Sequence, residues 1–130
     1  MNIKYGFDKT VPMDFEAAID AVTHGLQTEG FGVLSDIGVA ATMKKKLGEE
    51  MPPYRILGAC NPPLAHRAIT SEPSIGLLLP CRVVARQEES GVVHTEFMDP
   101  DAVLDLVDSP AVCELAGEVK SRLERVMAAL

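Results

Sequence analysis

Cys60-Asn61-Pro62-Pro63 is the segment whose residue types and spacing could do chemistry. A thiol closes an apolar run there, directly before residues that open a helix. At a helix N-terminus the backbone dipole favours negative charge, so a cysteine in that place can be activated as its thiolate. Carboxyl ends of strands are also where many α/β proteins bind ligands. Asn61 suits the N-cap, its side-chain oxygen accepting from an N–H two or three residues on, and Pro62 suits the first helical turn. Neither proline has an N–H to offer, which argues against a phosphate cradle. The plain alternative is an asparagine-capped helix with Cys60 as small apolar filler.

Two other residues extend this turn into a candidate site. Cys81 lies on a later strand, and its thiol could approach Cys60 if the two strands are neighbours. His66 lies one turn into the helix. A thiol-dependent enzyme or thiol-transfer protein would use Cys60 as nucleophile, with Cys81 as resolving thiol or His66 as base. The same three side chains give at most three ligands for zinc or copper, and a CxxC spacing is absent, so no metal or other cofactor is expected. A ligand-binding site would gather Cys60, Asn61, Pro62, His66 and Cys81 around a small molecule.

Arg82, Arg86, His94 and Glu96 form a second constellation, for which cross-strand charge pairing on a solvated sheet face is a sufficient account. His24 has no catalytic partner that spacing identifies. No Ser-His-Asp arrangement, P-loop, Rossmann glycine fingerprint or HExxH motif is present, so no reaction is assigned.

Bulk properties narrow the classes. With 130 residues, 47 % hydrophobic and 24 % charged, the chain suits one folded domain, residues 1–130. A formal charge of −7 disfavours nucleic acid and anionic membranes. Lys44, Lys45 and Lys46 are the one basic cluster and suit a helix C-terminus. No apolar run is long enough to span a membrane, and Met1 to Tyr5 has no signal-peptide core. The three cysteines, an odd number, are therefore expected as free thiols in the cytoplasm.

The positioning elements follow from periodicity. A first strand is predicted from residue 2 to 9, then a helix with Pro12 in its first turn, buried at Phe15, Ala18, Ile19, Val22 and Leu26 and stopped by Gly30. Phe31 to Ser35 alternates as a strand. Asp36 is predicted to cap a second helix that turns Val39 or Ala40, Met43 and Leu47 to the core and ends at Gly48. Tyr54 to Cys60 is apolar on both faces and reads as a central strand, and Pro62 to Ser71 as a helix.

Leu77 to Glu88 and Val92 to Met98 form a predicted hairpin. A loop of Glu89, Ser90 and Gly91 sets Arg86 opposite His94, Val84 opposite Glu96 and Val83 opposite Phe97. Asp99 and Ser109 each cap a helix, the first running through Val107 and the last carrying a stripe from Val112 to Leu130.

Three segments together, Glu29-Gly30-Phe31-Gly32-Val33-Leu34, Tyr54 through Ala65, and Gly76-Leu77-Leu78-Leu79-Pro80-Cys81, resemble the bacterial and archaeal family catalogued as domain of unknown function 302. The resemblance implies a two-layer α+β sandwich, a mainly antiparallel sheet of about five strands with helices packed on one face. It also implies a homodimer and cysteines at the positions of Cys60 and Cys81. It brings no catalytic residue. The reading is thus a homodimeric small-molecule-binding or interaction module, with thiol chemistry or metal binding as alternatives.

Overall fold

The computed structural model describes residues 3–130; Met1, and Asn2 at the head of the expected first strand, lie outside them. Five strands, β1 (Gly6–Val11), β2 (Gly32–Gly38), β3 (Tyr54–Cys60), β4 (Cys81–Gln87) and β5 (Val93–Met98), form one sheet in the order β1-β5-β4-β3-β2. Every neighbouring pair is antiparallel. Five helices accompany it: α1 (Phe15–Thr28), α2 (Val39–Leu47), α3 (Pro62–Ser71), α4 (Pro100–Leu104) and α5 (Pro110–Ala128). The α+β sandwich expected from the sequence is the observed architecture.

Strand alternation puts Leu57, Ala59, Val83, Ala85 and Phe97 on one sheet face, where they meet Phe15, Ile19, Val22 and Leu26 of α1 and Leu123 and Val126 of α5. Removing the Leu, Ile, Val and Phe side chains among these from water stabilises the fold by about 1.5–3 kcal/mol each. Lys9, on β1, ties down the end of α5 by donating from Nζ to the backbone oxygens of Leu130 at 2.8 Å and Met127 at 3.2 Å. A second apolar cluster forms beyond the end of β3 from Leu64 and Ala68 of α3, Ile75, Leu104 of α4, and Val112, Leu115 and Ala116 of α5.

The hairpin has the predicted register, with Arg86 opposite His94, Val84 opposite Glu96 and Val83 opposite Phe97. Gly91 takes φ +95°, and its N–H reaches the Glu88 carbonyl at 2.8 Å. That left-handed conformation is the one a three-residue hairpin loop demands of its last position.

Other boundaries differ from expectation. Pro12 precedes α1 rather than opening it, because Asp14 is the cap and accepts from the Ala17 N–H at 2.8 Å. Asp36 caps nothing: it lies inside β2 and accepts from Arg55 of β3, whose Nε is 3.0 Å away, while Arg55 also reaches Glu16 of α1 at 3.1 Å. The hydrogen bond from Arg55 holds the Asp36 carboxyl below the usual carboxylate range. Helix α2 starts after Gly38 and buries no residue, so Val39, Met43 and Leu47 do not enter the core, and Leu47 is 67 % exposed. Leu77 and Leu78 belong to a 3-10 turn, Pro73–Leu78, and the fourth strand starts only at Cys81.

Candidate functional site

The strand-to-helix turn is built as its residues require. β3 ends at Cys60 and α3 begins at Pro62, with Asn61 as the cap in extended conformation. Its Oδ1 accepts from the Leu64 N–H at 3.3 Å. Pro62 and Pro63 fill positions whose missing N–H groups cost the helix nothing. The amide of Asn61 also donates to the Glu29 carbonyl at 3.5 Å, and Arg122 of α5 donates to the same oxygen at 2.8 Å. That carbonyl ends α1, so one acceptor joins three elements. Gly30, next in the chain, has φ +84°, and a Cβ there would meet Asn61 Nδ2 at 2.9 Å. Glycine is needed at this position for both conformation and space.

Beside the turn lies a pocket of about 290 Å³. Its walls come from the end of the sheet (Phe31, Ala59, Cys60, Cys81), from α3 (Leu64, Ala65, Ala68, Ile69) and from the second apolar cluster (Leu104, Val112, Leu115). Apart from the two cysteines, Asn61 is the one polar side chain lining it. Its oxygen and its amide both have protein partners. The pocket therefore presents hydrocarbon and thiol surface, a lining that selects apolar, uncharged groups. Leu34 and Ile69, which line it, are 71 % and 46 % exposed, so its mouth is apolar too.

The structure brings Cys60, Asn61 and Cys81 to this pocket and leaves Pro62 and His66 outside its lining, both exposed. β3 and β4 are neighbours, with Ala59 directly opposite Cys81, so the two cysteines are close in register. All three cysteines are free thiols. Burial pushes the Cys81 thiol up to about 11, with nearby Cys60 adding to the rise and Arg82 opposing it. Cys81 thus stays protonated at neutral pH and is a poor nucleophile. No group of three or more His, Cys, Asp or Glu among the described residues is arranged to hold a metal ion.

The polar constellation sits on the other face of the sheet. Arg86 pairs with Glu96 at 2.8 Å, and His94 lies between Asp8 at 3.2 Å and Glu88 at 2.6 Å. Asp8 was not part of the expected set, and the antiparallel placement of β1 beside β5 is what delivers it. Sequence reasoning also missed Ile75, Leu104 and Leu115 as pocket or cluster residues. Their apolar character marks them as buried, but only the packing of α3, α4 and α5 shows that the three share one cluster and that Leu104 and Leu115 line the pocket beside Cys60.

The family model described as "Domain of unknown function DUF302" matches residues 7–130. The chain is similar to the crystal structure of an uncharacterized conserved protein DUF302 from Bacillus stearothermophilus, with 27 % identity and a TM-score of 0.90. The similarity covers 96 % of this chain and 97 % of that one. No curated protein matches.

Proposed function

The chain belongs to the DUF302 family, and we propose that it is a small-molecule-binding module whose ligand occupies the apolar pocket at the Cys60-Asn61 turn, working as a homodimer in the cytoplasm. The observation that carries this reading is that the three segments quoted above for the family resemblance all contribute to one pocket: Phe31 and Leu34 from the first, Ala59 through Asn61 from the second, and Leu79 to Cys81 from the third. At about 290 Å³ it sits near the lower end of sizes usual for small-ligand sites. With the polar atoms of Asn61 already engaged, the ligand class is a compact, uncharged, mainly apolar molecule. On this reading the dimer forms across the β2 edge and α2, and what supports it is that Leu34, Ile37 and Leu47 are 71 %, 50 % and 67 % exposed there.

A thermal-shift screen with small uncharged ligands such as indole and medium-chain alcohols tests the pocket. Stabilisation that grows with the logarithm of ligand concentration is expected, about 2.7 kcal/mol at a hundredfold excess over Kd. Ala65→Phe, which fills the pocket, removes it. Stabilisation that survives Ala65→Phe, or no stabilisation by any member of the screen, would defeat the reading. Light scattering at low micromolar concentration tests the dimer, and a monomer alone would remove that part.

A second reading keeps Cys60 as the nucleophile of a thiol-dependent enzyme or thiol-transfer protein. In its favour, Cys60 lines the pocket at the start of a helix. Against it stand the raised Cys81 thiol as resolving group and the exposed position of His66 as base.

A further inference from the structure

The sheet face opposite α1 and α5 carries a separate groove of about 670 Å³, which shares no lining residue with the apolar pocket. Its floor is β-sheet: Gly6 of β1, Val84 of β4 and Met98 of β5. Gly6 keeps the floor low, since a Cβ there would meet the Phe97 carbonyl oxygen at 2.7 Å. Tyr5 and Tyr54 both line it, and these are the two tyrosines of a chain without tryptophan. The Tyr5 backbone is anchored, its carbonyl accepting from the Asp99 N–H at 2.8 Å, while the residue as a whole is 70 % exposed.

The charge of this groove runs against the chain's net balance. The chain carries −7 overall, yet the groove is lined by Lys4, Arg82 and Arg86 against one carboxylate, Glu96. Glu96 is taken by Arg86 Nε at 2.8 Å. The carboxylates of Asp8 and Glu88 also act on Arg86, and both are engaged by His94. Arg82 makes no ion pair among the described residues, although acids outnumber bases by 19 to 12. An unpaired guanidinium and two tyrosines lining one groove over an apolar floor is a combination that recognises a flat organic anion, its charge on the guanidinium and its body over the sheet.

From this arrangement we infer that the groove is a second binding site, for a planar aromatic carboxylate. The carboxylate pairs with Arg82, and the ring lies on Val84 and Met98 beside Tyr5 and Tyr54. This site does not depend on the apolar-pocket reading.

The test is a titration of isotopically labelled full-length chain with 2-naphthoate, followed by amide chemical shifts, with uncharged 2-naphthamide as control. Expected are saturable shifts at Tyr54, Arg82 to Val84 and Glu96 to Met98, an affinity at least about tenfold weaker for Arg82→Gln, as for loss of a charge-assisted hydrogen bond, and partial recovery in Arg82→Lys. Arg82 is exposed, so both variants keep the wild-type melting temperature. The inference is overturned by an absence of shifts up to about 10 mM probe, by equal binding of the amide, or by indifference to Arg82→Gln. It is overturned equally by shifts confined to Leu64 and Ala65, which place the probe in the apolar pocket, or by concentration-dependent self-association that covers the same amides and excludes the probe.

Discussion

Ala59 of β3 stands directly opposite Cys81 of β4, and that pairing decides what the two pocket cysteines can do. Since successive strand residues point to opposite faces, Cys81 turns with Ala59 toward the helices, and Cys60, one residue on, leaves the pleat on the other side. The pocket reaches both because it lies at the end of the sheet.

The three thiols therefore differ in reactivity. Cys113 is exposed, Cys60 half-buried and Cys81 buried, with its thiol pushed up to about 11. Treating native protein with iodoacetamide at neutral pH and mapping peptides by mass spectrometry should find Cys113 modified first and Cys60 second. Cys81 should be slower than an ordinary thiol by about a hundredfold, the loss in thiolate fraction for a rise of about two pKa units. Early modification of Cys81 in folded protein would contradict its burial against Ala59 and Val83.

Alkaline pH gives a thermodynamic version of the same test. The folded state raises the Cys81 thiol, so it binds that proton more tightly than the unfolded chain does. The contribution is fully present below the ordinary thiol range and is lost as pH rises from there through about 11. Cys81 is 5 % exposed, so the effect is of order 2–3 kcal/mol across that window. Urea denaturation at a series of pH values should show stability falling between about pH 9 and 11, and falling less steeply in Cys81→Ala, in which no thiol titrates there. Parallel curves for the two proteins would show that the Cys81 proton is not linked to folding.

How far the sequence carried depends on where each determinant lies. The register of the β4–β5 hairpin could be read to the residue because Gly91 and the alternation around it are local. The caps at Asn61, Asp99 and Ser109 were readable for the same reason. Asp36 misled because its partner, Arg55, is distant in sequence, and because a bulge between Val33 and Ser35 lets β2 continue past it. Leu77 to Pro80 has the composition of a strand, but Ile75 is drawn under α3 and α5 and the chain turns there as a 3-10 helix. Gly58 reads as an ordinary strand residue, yet a Cβ there would collide with Ser35 Oγ and approach Pro80 Cγ at 2.9 Å. Of the candidate site, the turn itself was legible, whereas the pocket was not, since Leu104 of α4 and Val112, Leu115 and Val119 of α5 reach it only through tertiary packing.

Asn61 offers the sharpest separation of cap from tether. It is 7 % exposed and does two jobs, accepting from the Leu64 N–H at 3.3 Å and donating to the Glu29 carbonyl at 3.5 Å. Asn61→Ala removes both and should cost about 1–2 kcal/mol, as N-cap truncations do, seen as a lower urea midpoint at unchanged slope. Serine caps as well as asparagine but is too short to reach Glu29. Arg122 still satisfies that carbonyl at 2.8 Å, so losing the tether alone strands no acceptor. Asn61→Ser should therefore recover most of the loss. Equal destabilisation by alanine and serine would shift the weight from the cap to the tether, and the turn would then be held chiefly by its attachment to the end of α1.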